Sequence, residues 1–210
     1  DVDSGKSGII ERYVQPNLTK IDPYSISIGI DFTPKNIKWD DSLDIKLQIW
    51  DLAGQERFGH YITSYLKANA AFVVFNINTY NNNTLDYVKK WKDTIDLHAK
   101  RTQDIPIPVI LLVNIDASES TTENKYNKYD KSSEEMGQFC KDCGFETWFE
   151  VSVQHSKNIN LAFETLIKKT LEYGNIHYSK YSNEENDEDN HSLNIVNSKT
   201  SVKQSNGCFS

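Results

Sequence analysis

Two short stretches carry residue types suited to handling phosphate. Gly5-Lys6-Ser7 opens a helical segment and matches the second half of the pattern G-x-x-x-x-G-K-[ST]. In that pattern backbone N–H groups wrap a phosphate, the Lys ammonium supplies a positive point charge, and the Ser hydroxyl binds Mg²⁺. The helix N-terminus adds a fixed partial positive charge beneath the anion. The second stretch, Trp50-Asp51-Leu52-Ala53-Gly54-Gln55-Glu56, stands where an apolar strand runs out into a loop, which is where open α/β sheets bind ligands. A carboxylate at Asp51 can hold Mg²⁺ through water. Gly54 lets its backbone N–H approach a terminal phosphate, and Gln55, with one donor end and one acceptor end, can orient an attacking water. Cys140 and Cys143 share a short helical segment with no His or further Cys nearby, so a metal site is not expected there.

The elements that must position these residues follow from hydrophobic periodicity. Ile9, Ile10 and Tyr13 lie at helical spacing, giving a helix from about Lys6 to Val14 that Pro16 ends. Strands over about Asp31–Trp39 and Asp44–Trp50 flank the polar turn Asp40-Asp41-Ser42 and form a hairpin. In the second of them Ile45, Leu47 and Ile49 alternate with Asp44, Lys46 and Gln48, a strand with one better-covered face near an edge. Ala71–Ile77 and Pro108–Val113 are continuous apolar runs, as expected where helices cover both faces of a parallel sheet. Between them the pattern predicts a helix over about Leu85–His98 with Val88, Trp91, Ile95 and Leu85 toward the core. Ser133-Glu134-Glu135 opens a short helix with acids in its first turn, and Gly144 follows its end. A last strand, Trp148–Val153, precedes a last helix, Asn160–Tyr173, whose Leu161, Phe163, Leu166, Ile167 and Leu171 supply apolar area. The alternation is that of an α/β domain with a mainly parallel sheet.

Composition bounds the rest. The chain has 210 residues, 38% of them apolar, enough for one core. Its net charge of −7 and its lack of a basic cluster make nucleic acid an unexpected partner. Three cysteines, Cys140, Cys143 and Cys208, form an odd, unevenly spaced set that argues against a disulfide scaffold. No run approaches the ~20 apolar residues that cross a bilayer. From Asn175 onward the chain is rich in Asn, Ser, Glu, Asp and Lys, with too few large apolar residues to offset ordering entropy, so residues 1–174 are expected as the domain and 175–210 as a flexible tail. The sequence opens inside the phosphate loop, so a central first strand is expected upstream of Asp1.

Gly5-Lys6-Ser7, Ile28-Gly29-Ile30-Asp31-Phe32 and Trp50-Asp51-Leu52-Ala53-Gly54-Gln55-Glu56-Arg57-Phe58, in that order and spacing, resemble the Rab family of small GTPases. Within it, Trp91-Lys92, Phe139-Cys140-Lys141 near Gly144-Phe145, and Asn183-Glu184-Glu185-Asn186-Asp187 resemble the subfamily serving lysosome-related organelles. The resemblance covers nearly residues 1–190. It implies the three-layer P-loop GTPase fold, mostly parallel with one antiparallel edge strand, and a GTP/GDP cycle with Mg²⁺ in vesicle traffic. Two loops would order around the terminal phosphate and recruit effectors only in that state. Carried over by position, Asp3, Ser4, Gly5, Lys6, Ser7 and Gly8 would hold phosphates. Ser7, Ser27 and Asp51 would serve Mg²⁺, with Ser27 standing where the family has a Thr. Tyr24 would shield the nucleotide, and Gln55 would be the catalytic residue. Ile28, Gly29, Ile30, Asp31 and Phe32, with Trp50, Phe58 and Tyr65, would form the effector surface, anchored by the aromatics Phe32, Trp50 and Tyr65. Effectors, an exchange factor and a GTPase-activating protein are the implied partners, and the cytoplasmic face of endolysosomal, lysosome-related or Golgi-derived membranes is the implied location. Cys208 is the candidate for lipidation, although only Phe209 and Ser210 follow it and the tail offers no polybasic aid.

The pattern departs on the side that reads guanine. The family has Asn-Lys-x-Asp there, with the Asp accepting two base N–H groups, and Ser-Ala-Lys opposite. This chain reads Asn114-Ile115-Asp116-Ala117 and Ser152-Val153-Gln154. Asn114, Asp116, Ser152 and Val153 are therefore the candidates for the base side. A missing bidentate contact removes on the order of 2–4 kcal/mol, roughly 30- to 1,000-fold in affinity. Two accounts stand open. In one, Asp116 swings into the base site because the loop is one residue shorter, and GTP binding is weakened. In the other, the chain is a degenerate Rab-like scaffold with weak or no nucleotide binding. Asp3, where the family has Gly, places an acid beside the phosphates.

Overall fold

A computed structural model describes residues 4–18, 30–41, 43–52, 68–99, 106–116 and 131–181. The elements are α1 (Lys6–Val14), β1 (Ile30–Lys38), β2 (Asp44–Leu52), β3 (Ala71–Asn76), a 3₁₀ turn (Ile77–Thr79), α2 (Thr84–His98), β4 (Val109–Asn114), α3 (Ser133–Cys143), β5 (Thr147–Val151) and α4 (Ile159–Tyr181). The backbone divides into two units, one of them the hairpin segment Phe32–Trp50.

In the larger unit β3, β4 and β5 form a parallel sheet with β4 central. Ala71 pairs with Val109 at one end and Asn76 with Asn114 at the other, while Ile110–Asn114 pair with Thr147–Val151. All six residues of β4 are buried, which explains why its sequence is a continuous apolar run. One face carries Val73, Phe75, Val109, Leu111 and Val113 against Val88, Ile95 and Ala99 from α2 and its end, and Met136, Cys140 and Phe145 from α3 and its end. The alternate residues face α1 and α4: the Phe72 ring meets Phe163 edge-on at 4.9 Å, and Tyr13 of α1 stacks on the same Phe163 at 3.6 Å. The result is the expected three-layer α/β arrangement.

The local signals that set these boundaries are physical. Ser132 caps α3, accepting from the Glu135 N–H at 3.2 Å, while the Glu135 carboxylate accepts from the Ser132 N–H at 2.8 Å, a reciprocal capping box. Gly144 ends the helix in left-handed backbone, φ +73°. The hairpin unit closes through Trp39 N–H to Leu43 C=O at 2.9 Å. Along β2, Ile45, Leu47 and Ile49 are half-buried while Asp44, Lys46 and Gln48 are exposed, as their alternation predicts.

Three expectations need correction. Leu161 is 50% exposed, because Ile159, Ala162, Phe163 and Leu166 already fill the i, i+3, i+4, i+7 stripe of α4. In α2 Trp91 packs partly buried against the core as expected, but Leu85 is only half-buried and the buried residue between Val88 and Ile95 is Lys92. Its stem lies inside while its ammonium bonds Asp96 at 2.5 Å and lies 5.8 Å from the Phe145 ring centroid. The last helix continues through Tyr181, beyond the Tyr173 expected to end it.

Candidate functional site

Gly5 introduces α1 in left-handed backbone, φ +83°, and a Cβ there would lie 2.2 Å from Asn114 Nδ2. Both the dihedral and the close approach demand glycine. Ser4, buried beneath it, accepts the Asn114 Nδ2–H on its carbonyl at 3.2 Å and the Lys6 Nζ–H on its hydroxyl at 3.0 Å. Ser7, in the first turn of α1, donates its hydroxyl to Asp51 Oδ2, although 44 residues separate them. Gly8 is buried in the same turn. Ser4, Gly5, Lys6, Ser7, Gly8, Asp51 and Asn114 are thus brought together where α1 begins and β4 ends. A hydroxyl and a carboxylate meeting at a helix N-terminus are hard oxygen donors, a set whose chemistry fits Mg²⁺.

The base-side candidates form a second cluster joined to the first through Asn114. Asn114 Oδ1 accepts the Asp116 N–H at 3.1 Å. The buried Asp116 carboxylate accepts from the Ser152 hydroxyl on Oδ1, and from the Val153 N–H at 2.5 Å and the Gln154 N–H at 3.3 Å on Oδ2. Those bonds explain why β5 stops at Val151 and does not reach the expected Val153: the next amides turn toward a carboxylate instead of a strand. Ser152 and Lys157 then close the turn by exchanging N–H···O bonds of 3.2 and 3.0 Å, with Ser156 at φ +53°. The Ser152 hydroxyl donates to Asp116, so its 3.1 Å contact with His155 Nδ1 is a bond that the imidazole donates.

Two participants carried no signal strong enough to single out in the sequence. Arg12 is 8% exposed, and its guanidinium donates to Val153 O at 2.8 Å, Leu18 O at 2.6 Å and Pro16 O at 3.3 Å, pinning the turn to α1. An Arg wedged between Glu11 and Tyr13 on a helix reads as a surface residue until its backbone acceptors are visible. Asn78, after β3, donates Nδ2–H to Asp116 O. Burial first, then the neighbouring Glu164 charge, pushes the Tyr13 hydroxyl up to about 12, so α1 packs on α4 through a neutral phenol.

Phe32 and Trp50, 41% and 46% exposed, form a tilted ring pair with centroids 4.8 Å apart on the hairpin unit. Ile30 opens β1 and Asp31 is exposed. Asp3, Tyr24, Ser27, Ile28, Gly29, Gly54, Gln55, Phe58, Tyr65 and Cys208 lie outside the described residues. Among the described residues no helix is long and apolar enough to cross a membrane.

The Ras family model matches residues 1–172. Ras-related protein Rab-32 of Homo sapiens is 39% identical over 186 residues, 88% of this chain and 76% of that protein. Ras-related protein Rab-32A of Dictyostelium discoideum is 37% identical over 173 residues, covering 81% and 74%. Ras-related protein Rab-7L1 of Rattus norvegicus is 32% identical over 172 residues, covering 81% and 78%. A phosphate-loop glycine at a helix start, a Ser–Asp oxygen pair and this breadth of similarity make the chain a member of the Ras family, within its Rab branch of GTP-binding regulators of membrane traffic.

Proposed function

We propose that this Rab protein is a GTP-hydrolysing switch whose GTP- and GDP-bound forms alternate on intracellular membranes. The Ser7–Asp51 bond at the N-terminus of α1 is the observation that carries the reading. Lys6 and the backbone around Gly5 neutralise and orient the phosphates. Ser7 and Asp51, with Ser27, hold Mg²⁺, which when bound draws charge from the phosphate oxygens. Gln55 aligns the attacking water and Gly54 meets the terminal phosphate. Asn114 ties the phosphate loop to the end of β4, and Asp116, Ser152 and Val153 wall the base side.

Phe32 and Trp50, with Tyr65 and Phe58, offer effectors an aromatic surface whose presentation follows the nucleotide. Similarity to proteins named Rab-32 and Rab-7L1 supports an endomembrane site of action, lysosome-related or Golgi-derived. Attachment there runs through a lipid on Cys208, and one such chain gives reversible binding and cycling with the cytosol.

Titration of full-length protein with labelled GTP, GDP and ATP in Mg²⁺, followed by phosphate release with and without Gln55→Leu, tests the reading. Expected are measurable though weakened GTP and GDP binding and hydrolysis that Gln55→Leu slows at least tenfold; absence of binding by any nucleotide refutes it. A nucleotide-independent scaffold is the second reading, favoured by one observation: both Asp116 carboxylate oxygens are engaged by the chain itself.

A further inference from the structure

A guanine edge offers two donors, the ring N1–H and the 2-amino group, beside one acceptor, the 6-oxo oxygen. A carboxylate that grips it must present an accepting lone pair from each oxygen. Asp116 carries about four such acceptor positions in all. Ser152 Oγ–H fills one on Oδ1, and Val153 N–H and Gln154 N–H converge on Oδ2. Its backbone is engaged as well, N–H to Asn114 Oδ1 at 3.1 Å and C=O from Asn78 Nδ2. The two backbone N–H groups that the 152–154 turn offers on this side, Val153 and Gln154, are already given to this carboxylate. Donors and acceptors suited to a guanine edge therefore satisfy one another inside the protein. Arg12 holds the partner turn in place from α1 through Val153 O at 2.8 Å.

We infer that Asp116 is a positioning residue that braces the 152–154 turn to the end of β4, and that this chain therefore reads the purine 2-amino group weakly, accepting guanosine and inosine nucleotides with near-equal affinity. The inference rests on the proposal that nucleotide binds beside Gly5–Ser7. Affinity then resides in the phosphate and Mg²⁺ contacts, and the base contributes chiefly by apolar burial and stacking. Replacing the carboxylate loosens the turn and weakens all purine nucleotides alike, whereas a base-gripping Asp would change the ranking among bases.

The test compares full-length protein binding GTP, ITP, which lacks the 2-amino group, and XTP, which carries a 2-oxo group. A carboxylate free to read the 2-amino group separates GTP from ITP by roughly 10- to 100-fold, the equivalent of one charge-assisted hydrogen bond. The expected ratio here is within about threefold, and Asp116→Asn lowers GTP and ITP affinity by the same factor without gaining XTP. A GTP preference over ITP of tenfold or more overturns the inference, as does a switch of Asp116→Asn toward XTP. Hydrogen exchange in nucleotide-free protein gives an independent readout. Val153 and Gln154 amides are protected in the wild type and lose at least tenfold protection in Asp116→Ala, with Leu111 and Leu112 amides reporting an intact sheet. Unprotected Val153 and Gln154 amides in the wild type overturn the brace, even if no nucleotide binds and the proposed switch itself has failed.

Discussion

Replacing Gly5 by Ala tests whether the phosphate loop is held by packing as well as by its ligand. The new methyl would sit 2.2 Å from Asn114 Nδ2, far inside contact distance, on backbone at φ +83°. Left-handed backbone costs a residue with a Cβ about 1–2 kcal/mol. Asn114 must also swing aside, giving up its bond to Ser4 O and its acceptance of the Asp116 N–H. Two such bonds are worth about 1 kcal/mol each, and more where a buried polar atom is left without a partner. The sum is about 3–5 kcal/mol, a large part of the 5–15 kcal/mol typical of a domain. Urea unfolding of full-length protein measures it, with an unchanged m-value confirming that stability alone has moved. Gly137→Ala in α3 is the comparison, since a Cβ there meets nothing within 4 Å; it should stabilise by about 0.5–1 kcal/mol. Adding Asn114→Ala to Gly5→Ala separates the two causes, because the clash disappears and the backbone cost stays. A Gly5→Ala protein within about 1 kcal/mol of wild type would refute the reasoning.

Two further outcomes follow from titratable groups. Burial, and secondarily the neighbouring Cys143, raises the Cys140 thiol to about 12, so iodoacetamide at about pH 8 should leave Cys140 unlabelled until the protein unfolds; labelling at the rate of a peptide thiol would contradict its placement under Met136 and Phe145. Glu135 lies below the usual carboxylate range, first through the Ser132 backbone N–H and then through Lys131. A depressed value in the folded state means its contribution is complete above the unfolded pKa near 4.3 and is lost as pH falls through the lower folded value. The stability gap between wild type and Glu135→Gln should therefore hold at pH 7 and shrink as the pH falls below the unfolded value and through the lower folded one, as followed by circular dichroism of thermal unfolding.

Much of the fold was legible because the signals were local. The apolar run Val109–Val113, the alternation of β2 and the stop at Gly144 each follow from burial or backbone rules acting over a few residues. Lys92 was not legible, since its burial depends on Asp96 one turn away and on Phe145 across a helix junction. Among site residues, the Gly5–Ser7 and Asp51 motifs announced a meeting that the backbone realises through Ser7 and Asp51. The fate of Asp116 could not be read from spacing. Whether a displaced acid turns to a ligand or to its own protein depends on which N–H groups the 152–154 turn aims at it.

The two clusters meet at Asn114, which links the proposed base side to the proposed phosphate side. Its amide nitrogen fixes Ser4 and its amide oxygen fixes the Asp116 backbone, so the phosphate loop and the turn after β5 are joined through side chains without any base between them. The Asp116 carboxylate oxygens and the Val153 and Gln154 N–H groups have internal partners here, at net values of about 1 kcal/mol for neutral bonds and 1.5–3 kcal/mol for those to the carboxylate. A chain wired in this way can change the residues that read the base, as at Ile115 and Gln154, while keeping the geometry that presents Gly5, Lys6 and Ser7. If the proposed sites are right, weakened guanine selectivity and a retained phosphate site are therefore separable physical events in this fold.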